Sequence, residues 1–156
     1  MSANISNKKN SNGKKYIICD SAKAKWGKTE TLLRVISLLI KSYPLISQKQ
    51  NKGRDKWCHF QLPNFDVVVS TLGDPYSAQP IWIDDAAKTG ARFIATACRT
   101  SGATVNVVKN VAMKYGYEII WFQNFHFDNI SFLNTPEINS VRDLDAQHIV
   151  DMFFSL

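Results

Sequence analysis

The stretch CDSAKAKWGKTET, residues 19–31, decides the fold class of this chain, because it links two apolar patterns of different period. Before it, residues 15–19 (KYIIC) form a short apolar run that is typical of a buried strand. After it, apolar side chains recur at helical spacing over residues 29–43, and Pro44 ends the pattern. The sequence therefore predicts a strand, a loop and a helix in this order.

The same alternation continues to the end of the chain. A polar, basic connector is expected at residues 47–55, an edge strand at 56–62 and a central parallel strand around Val67 to Val69. Further strands are predicted at 91–99 and 117–125, and helices at 77–88 and 103–116. Alternating strands and helices predict an α/β fold, a three-layer α/β/α sandwich with a mostly parallel sheet.

The last predicted helix starts at Ser140, which forms a capping box with Asp143. Its apolar side is expected to carry Leu144, His148, Ile149, Met152 and Phe153. Two further residue classes are assigned to the interior. These are three tryptophans in apolar runs and three cysteines without metal-ligand spacing, the latter as reduced thiols: Trp57, Trp82, Trp121, Cys19, Cys58 and Cys98.

Length and composition favour a single domain. The chain has 156 residues, of which 45% are hydrophobic, enough for one core. We expect this domain at residues 15–156, after a disordered basic tail at residues 1–14. The formal net charge is +6 and lysines crowd the tail, so nucleic acid is one partner to consider. The chain lacks both a long apolar span and a secretory signal pattern, so we expect a cytoplasmic protein without membrane contact.

A phosphate-binding chemistry is indicated at the turn between the first strand and the first helix. Such a loop needs inward backbone N–H groups, a lysine for the phosphates and a hydroxyl for Mg²⁺ at the helix start. Gly27, Lys28 and Thr29 supply the last three positions of the pattern G-x-x-x-x-G-K-[ST]. Ala22 stands where the opening glycine is usual.

The segment KAKWGKTETLLRVISLLIKS resembles the deviant phosphate loop of the partition and division-site ATPases, K-G-G-x-G-K-T followed by a helix. The resemblance implies ATP and Mg²⁺ as ligands and a small P-loop NTPase-like domain. Lys23 matches the signature lysine, which reaches into the site of a second subunit, and Lys28 matches the loop lysine. Ala24 and Lys25 replace the paired glycines, so their side chains restrict the backbone there.

A later segment, RFIATACRTSGATVNVVKNVAMKYGYEIIWFQN, is similar to part of the dethiobiotin synthetases of the same superfamily. The resemblance implies that Asn124 binds the nucleotide base through its amide. Thr71 stands where the partition ATPases have a magnesium-binding aspartate, so Asp74, or else Asp20, is the candidate carboxylate. Three groups of site residues follow. The catalytic candidates are Lys23, Lys28 and Asp74, the metal ligands are Thr29 and Asp74, and the nucleotide contacts are Ala22, Ala24, Lys25, Trp26, Gly27, Lys28, Thr29, Thr31 and Asn124.

Three functions agree with these residues. The first is a nucleotide-dependent switch or weak ATPase whose occupancy controls homodimerisation or binding of a protein partner. The second is a non-catalytic descendant of the fold that binds protein or nucleic acid as an adaptor. The third is a small-molecule kinase or ligase, in which Arg99 and Asp74 handle the acceptor.

Overall fold

The computed structural model describes residues 13–22, 27–124 and 135–156, and all structural statements below concern these residues. Most of the predicted basic tail lies outside them. Ten elements follow one another: β1 (Lys15–Ser21), α1 (Lys28–Ile40), β2 (Leu45–Gln50), β3 (Lys56–Gln61), β4 (Asp66–Ser70), α2 (Gln79–Lys88), β5 (Phe93–Cys98), α3 (Ala103–Tyr115), β6 (Tyr117–Phe122) and α4 (Thr135–Ser155).

The strands form one six-stranded sheet in the order β2-β3-β4-β5-β1-β6. The neighbours β4 and β5, β5 and β1, and β1 and β6 pair in parallel, whereas β3 is antiparallel to both β2 and β4. The sheet is therefore mixed and mostly parallel, and the predicted α/β class is confirmed.

Two apolar clusters lie on opposite faces of the sheet, because successive strand residues point to opposite sides. Ile17 packs with residues of α2 and α3, and its neighbour Ile18 packs with residues of α1 and α4. All six residues of β5 are buried, as expected for a strand that is covered on both faces. Helices on both faces are compatible with a three-layer sandwich.

The far edge of the sheet differs from the sequence prediction. Residues 45–50, partly assigned to a connector, form the edge strand β2, and β3 lies inside the sheet. The sequence pattern did not reveal β2, because most of its side chains are polar or exposed. One of these side chains contacts the neighbouring strand: the Lys49 ammonium lies 4.8 Å from the ring centre of Trp57 and also pairs with Asp85.

Helix α4 starts five residues earlier than its capping pattern indicated. Ser140 lies within the helix, where its Oγ donates a 3.0 Å hydrogen bond to the carbonyl of Pro136. The predicted capping box is therefore wrong. The buried side also differs, since Leu144 is 71% exposed, whereas Ile149 and Phe153 are buried against α1 and the sheet.

The predicted interior residues are confirmed with one exception. Trp57 and Trp82 are buried, and the Trp57 Nε1–H donates to the Trp82 carbonyl at 2.9 Å. Trp121 is 46% exposed because β6 is an edge strand, so its assignment to the core was wrong. The three cysteines are buried and free, as expected. No helix in the described ranges has the length and apolar character needed to cross a membrane.

Because Ile149 of α4 is buried and Leu144 is exposed, truncating each side chain should change the stability by a different amount. Ile149→Ala should lower the free energy of unfolding by about 2–5 kcal/mol, because it removes a fully buried side chain. Leu144→Ala should change it by less than about 0.5 kcal/mol. Chemical denaturation of both variants measures the difference. Equal losses would mean that α4 packs through another side.

Candidate functional site

The candidate site lies at the carboxyl ends of β1 and β5. These strands are neighbours, yet the chain leaves β1 for α1 on one face and leaves β5 for α3 on the other. Connections that diverge in this way open a crevice at the edge of a sheet, which is where open α/β folds bind ligands.

The side chain of Lys28, the first residue of α1, extends toward the ends of β1 and β5 and not into solvent. Its Nζ donates to the carbonyl of Ala22 at 2.6 Å and to the carbonyl of Cys98 at 2.8 Å. Only 7% of the residue is exposed. Burial lowers the pKa of this ammonium, and the nearby Arg99 guanidinium lowers it further, while Asp20 opposes both effects.

Gly27 allows the chain to turn into α1. Its φ of +88° lies in the left-handed region, which glycine adopts without a steric penalty. Its carbonyl accepts the first helical hydrogen bond, from the Thr31 N–H at 2.9 Å. The guanidinium of Arg142 on α4 lies directly beside it: a Cβ added at Gly27 would be 2.4 Å from Arg142 Nε.

Asp20, near the end of β1, is fully buried and close enough to Lys28 to interact with its charge. Burial raises its pKa from 3.8 to about 7, although Lys28 lowers it, and Asp145 adds to the rise. The backbone N–H of Asn124 is near enough to lower this pKa too. Within the described residues, no donor reaches either carboxylate oxygen with full hydrogen-bond geometry.

Two residues of α4 complete this group. Arg142 forms an ion pair with Asp145 at 3.9 Å, and both side chains are nearly buried. Asp145 and Arg142 also act on the pKa of Asp20. We call Asp20, Lys28, Arg142 and Asp145 the buried charge cluster. It contains two cations and two carboxyl groups, so its charges balance only when Asp20 is ionised.

A second, more open group surrounds the crevice. Arg99 Nη2 binds Asp74 Oδ1 at 3.0 Å, and the Arg99 N–H donates to Thr104 Oγ1 at 2.8 Å. The Asp74 carboxylate raises the pKa of Lys28, so both residues belong to the same edge of the sheet. Ser21 Oγ donates to the Arg99 carbonyl at 3.2 Å, which ties this loop to the end of β1.

The residues predicted from the sequence lie as follows. Ala22, Gly27, Lys28, Asp74 and Asn124 meet at this edge of the sheet, and Thr29 lies in the first turn of α1. The remaining loop candidates lie outside the described residues: Lys23, Ala24, Lys25 and Trp26.

Two threonines are accounted for by the structure. Thr31 is fully buried within α1, so its hydroxyl is not exposed to a ligand in this conformation. Thr71 stands where the resembled family has an aspartate, and here it links β3 and β4. Its Oγ1 accepts the Lys56 N–H at 3.0 Å and donates to Asp55 at 2.6 Å.

Sequence reasoning missed Arg142 and Asp145. Their positions carried a signal, because both are in helical phase with Ile149 and therefore fall on the buried side of α4. A charged residue in phase with an apolar side is a candidate for a buried pair. No cluster of three or more His, Cys, Asp or Glu side chains suited to a metal ion occurs in the described ranges.

Replacement of Gly27 should be more damaging than replacement of an equivalent glycine elsewhere. Gly27→Ala and Gly90→Ala each introduce a Cβ at a positive φ, which costs about 1–2 kcal/mol. Only at Gly27 does the new methyl meet a neighbour, and it is the guanidinium at the flexible end of Arg142, so the added cost should be near the lower limit for overpacking, about 1 kcal/mol. Urea denaturation of both variants tests this. Equal stabilities would show that Arg142 moves away from Gly27 without cost.

The raised pKa of Asp20 predicts a pH-dependent stability. Between about pH 4 and pH 7, Asp20 holds a proton in the folded state that it has lost in the unfolded state. The free energy of unfolding should therefore fall by about 1 kcal/mol for each unit by which the pH rises. Asp20→Asn should remove this dependence, whereas Asp151→Asn, an exposed control on α4, should keep it. Unfolding at pH 5 and pH 7.5 measures the two slopes. A wild-type slope retained by Asp20→Asn would contradict the assignment.

No protein-family description, curated protein or solved structure matches this chain, so its function is inferred from the residues of the crevice.

Proposed function

We propose that this chain is a nucleotide-binding protein of the P-loop NTPase type, which binds ATP with Mg²⁺ at residues 22–29. Occupancy of the site acts as a switch that controls self-association or binding of a protein partner, and hydrolysis is slow. The observation that carries the proposal is the placement of Lys28. A buried ammonium points into the crevice between β1 and β5, directly after a glycine with a positive φ and at the start of a helix.

This arrangement suits a phosphate group for two reasons. The first N–H groups of α1 have no partner within the helix and carry the positive end of its dipole, which favours an anion. The Lys28 ammonium can exchange its neutral carbonyl acceptors on Ala22 and Cys98 for phosphate oxygens, which form stronger, charge-assisted bonds. Lys28 would then neutralise charge that develops during phosphoryl transfer.

The donors present fit a magnesium ion held mainly by phosphates. Mg²⁺ in nucleotide sites uses one or two protein oxygens and keeps the remaining positions for phosphate and water. The Thr29 hydroxyl and the Asp74 carboxylate are the proposed protein ligands. Asp74 binds Arg99, so its carboxylate would have to exchange that partner for the ion. Asn124, buried at the end of β6, is the proposed contact for the base.

Dimerisation belongs to the same proposal through the resemblance alone. Lys23 matches the signature lysine, so we propose that it reaches the phosphates of a second subunit when ATP is bound. Its position is outside the described residues. Nucleotide binding and self-association would then rise together.

A non-catalytic adaptor is the second candidate, and one observation favours it. The buried charge cluster pairs its two cations with two carboxyl groups, and Lys28 already has two carbonyl acceptors. A site that satisfies itself can persist as a structural feature of a fold that binds protein or nucleic acid elsewhere. This candidate predicts no response to nucleotide.

Nucleotide titration of the purified protein separates these functions. Saturation with ATP and Mg²⁺ at 100 times Kd should stabilise the protein by about 2.7 kcal/mol and raise Tm by roughly 5–10 °C. Lys28→Met, which keeps the apolar stem, should weaken ATP binding at least about tenfold, because it removes a charged donor to phosphate. Lys109→Met, on the exposed side of α3, is the matched control.

The same samples test the switch. Light scattering should show ATP-dependent association of wild type and of Lys109→Met, and none for Lys28→Met. Absence of any calorimetric or thermal response to ATP, ADP and GTP in wild type would reject the nucleotide site and leave the adaptor. Equal ATP affinity of Lys28→Met and wild type would reject Lys28 as the phosphate ligand.

A further inference from the structure

Two of the three cysteines meet between neighbouring strands in the interior of the sheet. The Cys19 thiol on β1 donates a hydrogen bond to the sulfur of Cys98 on β5, and the two Sγ atoms lie 3.0 Å apart. Both residues are fully buried in the apolar cluster that α2 and α3 cover. Cys58 is buried in the cluster on the opposite face. The fold therefore brings together two thiols that 79 residues separate in sequence and keeps the third apart.

The strand pairing leaves these two sulfur atoms a short way to move before they could form a bond. In the register of the parallel strands, Cys19 lies opposite Thr96. Cys98 is two residues further along and is the last residue of β5. A disulfide bond is about 2.05 Å long, so the sulfur atoms would have to approach by about 1 Å. Because β5 ends at Cys98, this movement falls at the edge of the sheet and not in its centre.

The two thiols differ in how readily they lose a proton. The hydrogen bond from Cys19 lowers the pKa of the Cys98 thiol, and the Ser21 hydroxyl and the Lys28 ammonium lower it further, although burial opposes them. Burial raises the pKa of the Cys19 thiol, and its bond to Cys98 raises it more. Cys98 therefore ionises first and is the better nucleophile, while the Cys19 thiol lies within reach of it.

Burial limits the oxidants that can reach this pair. Neither cysteine is exposed in this conformation, which excludes a protein or another bulky oxidant. The chain nevertheless approaches the surface directly after Cys98, since Arg99 is half-buried and Thr100 is exposed. Local opening of this loop is enough to admit hydrogen peroxide, a molecule only slightly larger than water.

We propose that Cys19 and Cys98 form a redox-active dithiol, which a hydroperoxide oxidises to a reversible disulfide. The Cys98 thiolate attacks one oxygen of hydrogen peroxide, which breaks the O–O bond, gives a sulfenic acid and releases hydroxide; the hydroxide takes up the proton that Cys98 lost. The Cys19 sulfur then attacks the Cys98 sulfur, and the sulfenic oxygen leaves as water with the Cys19 proton.

The thiols thus lose two electrons and two protons, and one peroxide becomes two molecules of water. A dithiol reductant reverses the reaction by thiol–disulfide exchange. This inference does not depend on the proposed function, because no step involves a nucleotide or a phosphate.

Peroxide treatment of the folded protein tests the pair. The reaction is quenched with acid, the protein is unfolded, remaining thiols are alkylated, and the peptides are mapped by mass spectrometry. Wild type and the control Cys58→Ser should both form the disulfide between Cys19 and Cys98, and dithiothreitol should restore both thiols. Cys58 of wild type should be oxidised at least about tenfold more slowly, because burial raises the pKa of its thiol.

Single variants separate the roles of the two sulfur atoms. Cys19→Ser should leave Cys98 as a sulfenic acid, which dimedone traps after unfolding, because no second thiol condenses with it. Cys98→Ser should leave Cys19 reduced. Circular dichroism shows whether each variant is folded, and the mapping of wild type and Cys58→Ser decides the question even if a variant does not fold.

The same protein in urea is the control for the role of the fold. Loop closure in the unfolded chain favours the shorter loops, which include Cys58, so the preference for Cys19 and Cys98 should disappear. The proposal is overturned if Cys19 and Cys98 of the folded protein stay reduced under a peroxide exposure that oxidises the unfolded protein. Disulfides between two chains in place of the internal bond, or oxidation of Cys58 at an equal rate, would also overturn it.

Discussion

Two hydrogen bonds from the Lys28 ammonium connect the elements that form the candidate site. By binding the carbonyls of Ala22 and Cys98, one side chain joins the carboxyl ends of β1 and β5 to the first turn of α1. Those strands lie side by side in the sheet, and their following helices lie on opposite faces. The ammonium therefore occupies the space between the two strand ends, where the following helices diverge.

The buried charge cluster places ionisable side chains where water hardly reaches them: Asp20 is fully buried and Lys28 is 7% exposed. Taking Asp20 and Lys28 out of water is costly, and the attraction between them only partly compensates, which is why burial moves both pKa values toward the neutral forms. Ionisable groups perturbed in this way often mark functional sites, although structural ion pairs show the same shifts. Here the cluster lies at the sheet edge where α/β folds bind ligands, and α4 covers it with Arg142 and Asp145. The position of the cluster in the sheet and the perturbed pKa values of its members thus both favour a ligand site here.

The sequence predicted those parts of the fold that depend on patterns among neighbouring residues. Apolar runs such as Val67 to Val69 and the helical spacing in α1 are periodic patterns, and both elements form as predicted. Strand β2 was missed because its side chains are mostly polar, and a polar strand is stabilised by pairing with β3, a partner known only in three dimensions. Leu144 and Trp121 were placed inside for their apolar character, but exposure depends on the neighbouring elements.

In the candidate site, too, some features follow from local sequence and others only from tertiary packing. By itself the sequence determined an α/β alternation and a glycine, a lysine and a threonine at a strand-to-helix turn, because turn chemistry and residue spacing act over a few neighbouring positions. Only the tertiary structure decided that Lys28 is buried between two strand ends, that Asp20 is deprived of water, and that Arg142 from α4 meets Gly27. The physical reason is distance along the chain: the Cys98 carbonyl lies 70 residues from Lys28, and Arg142 lies more than a hundred residues from Gly27, so only packing brings these groups together.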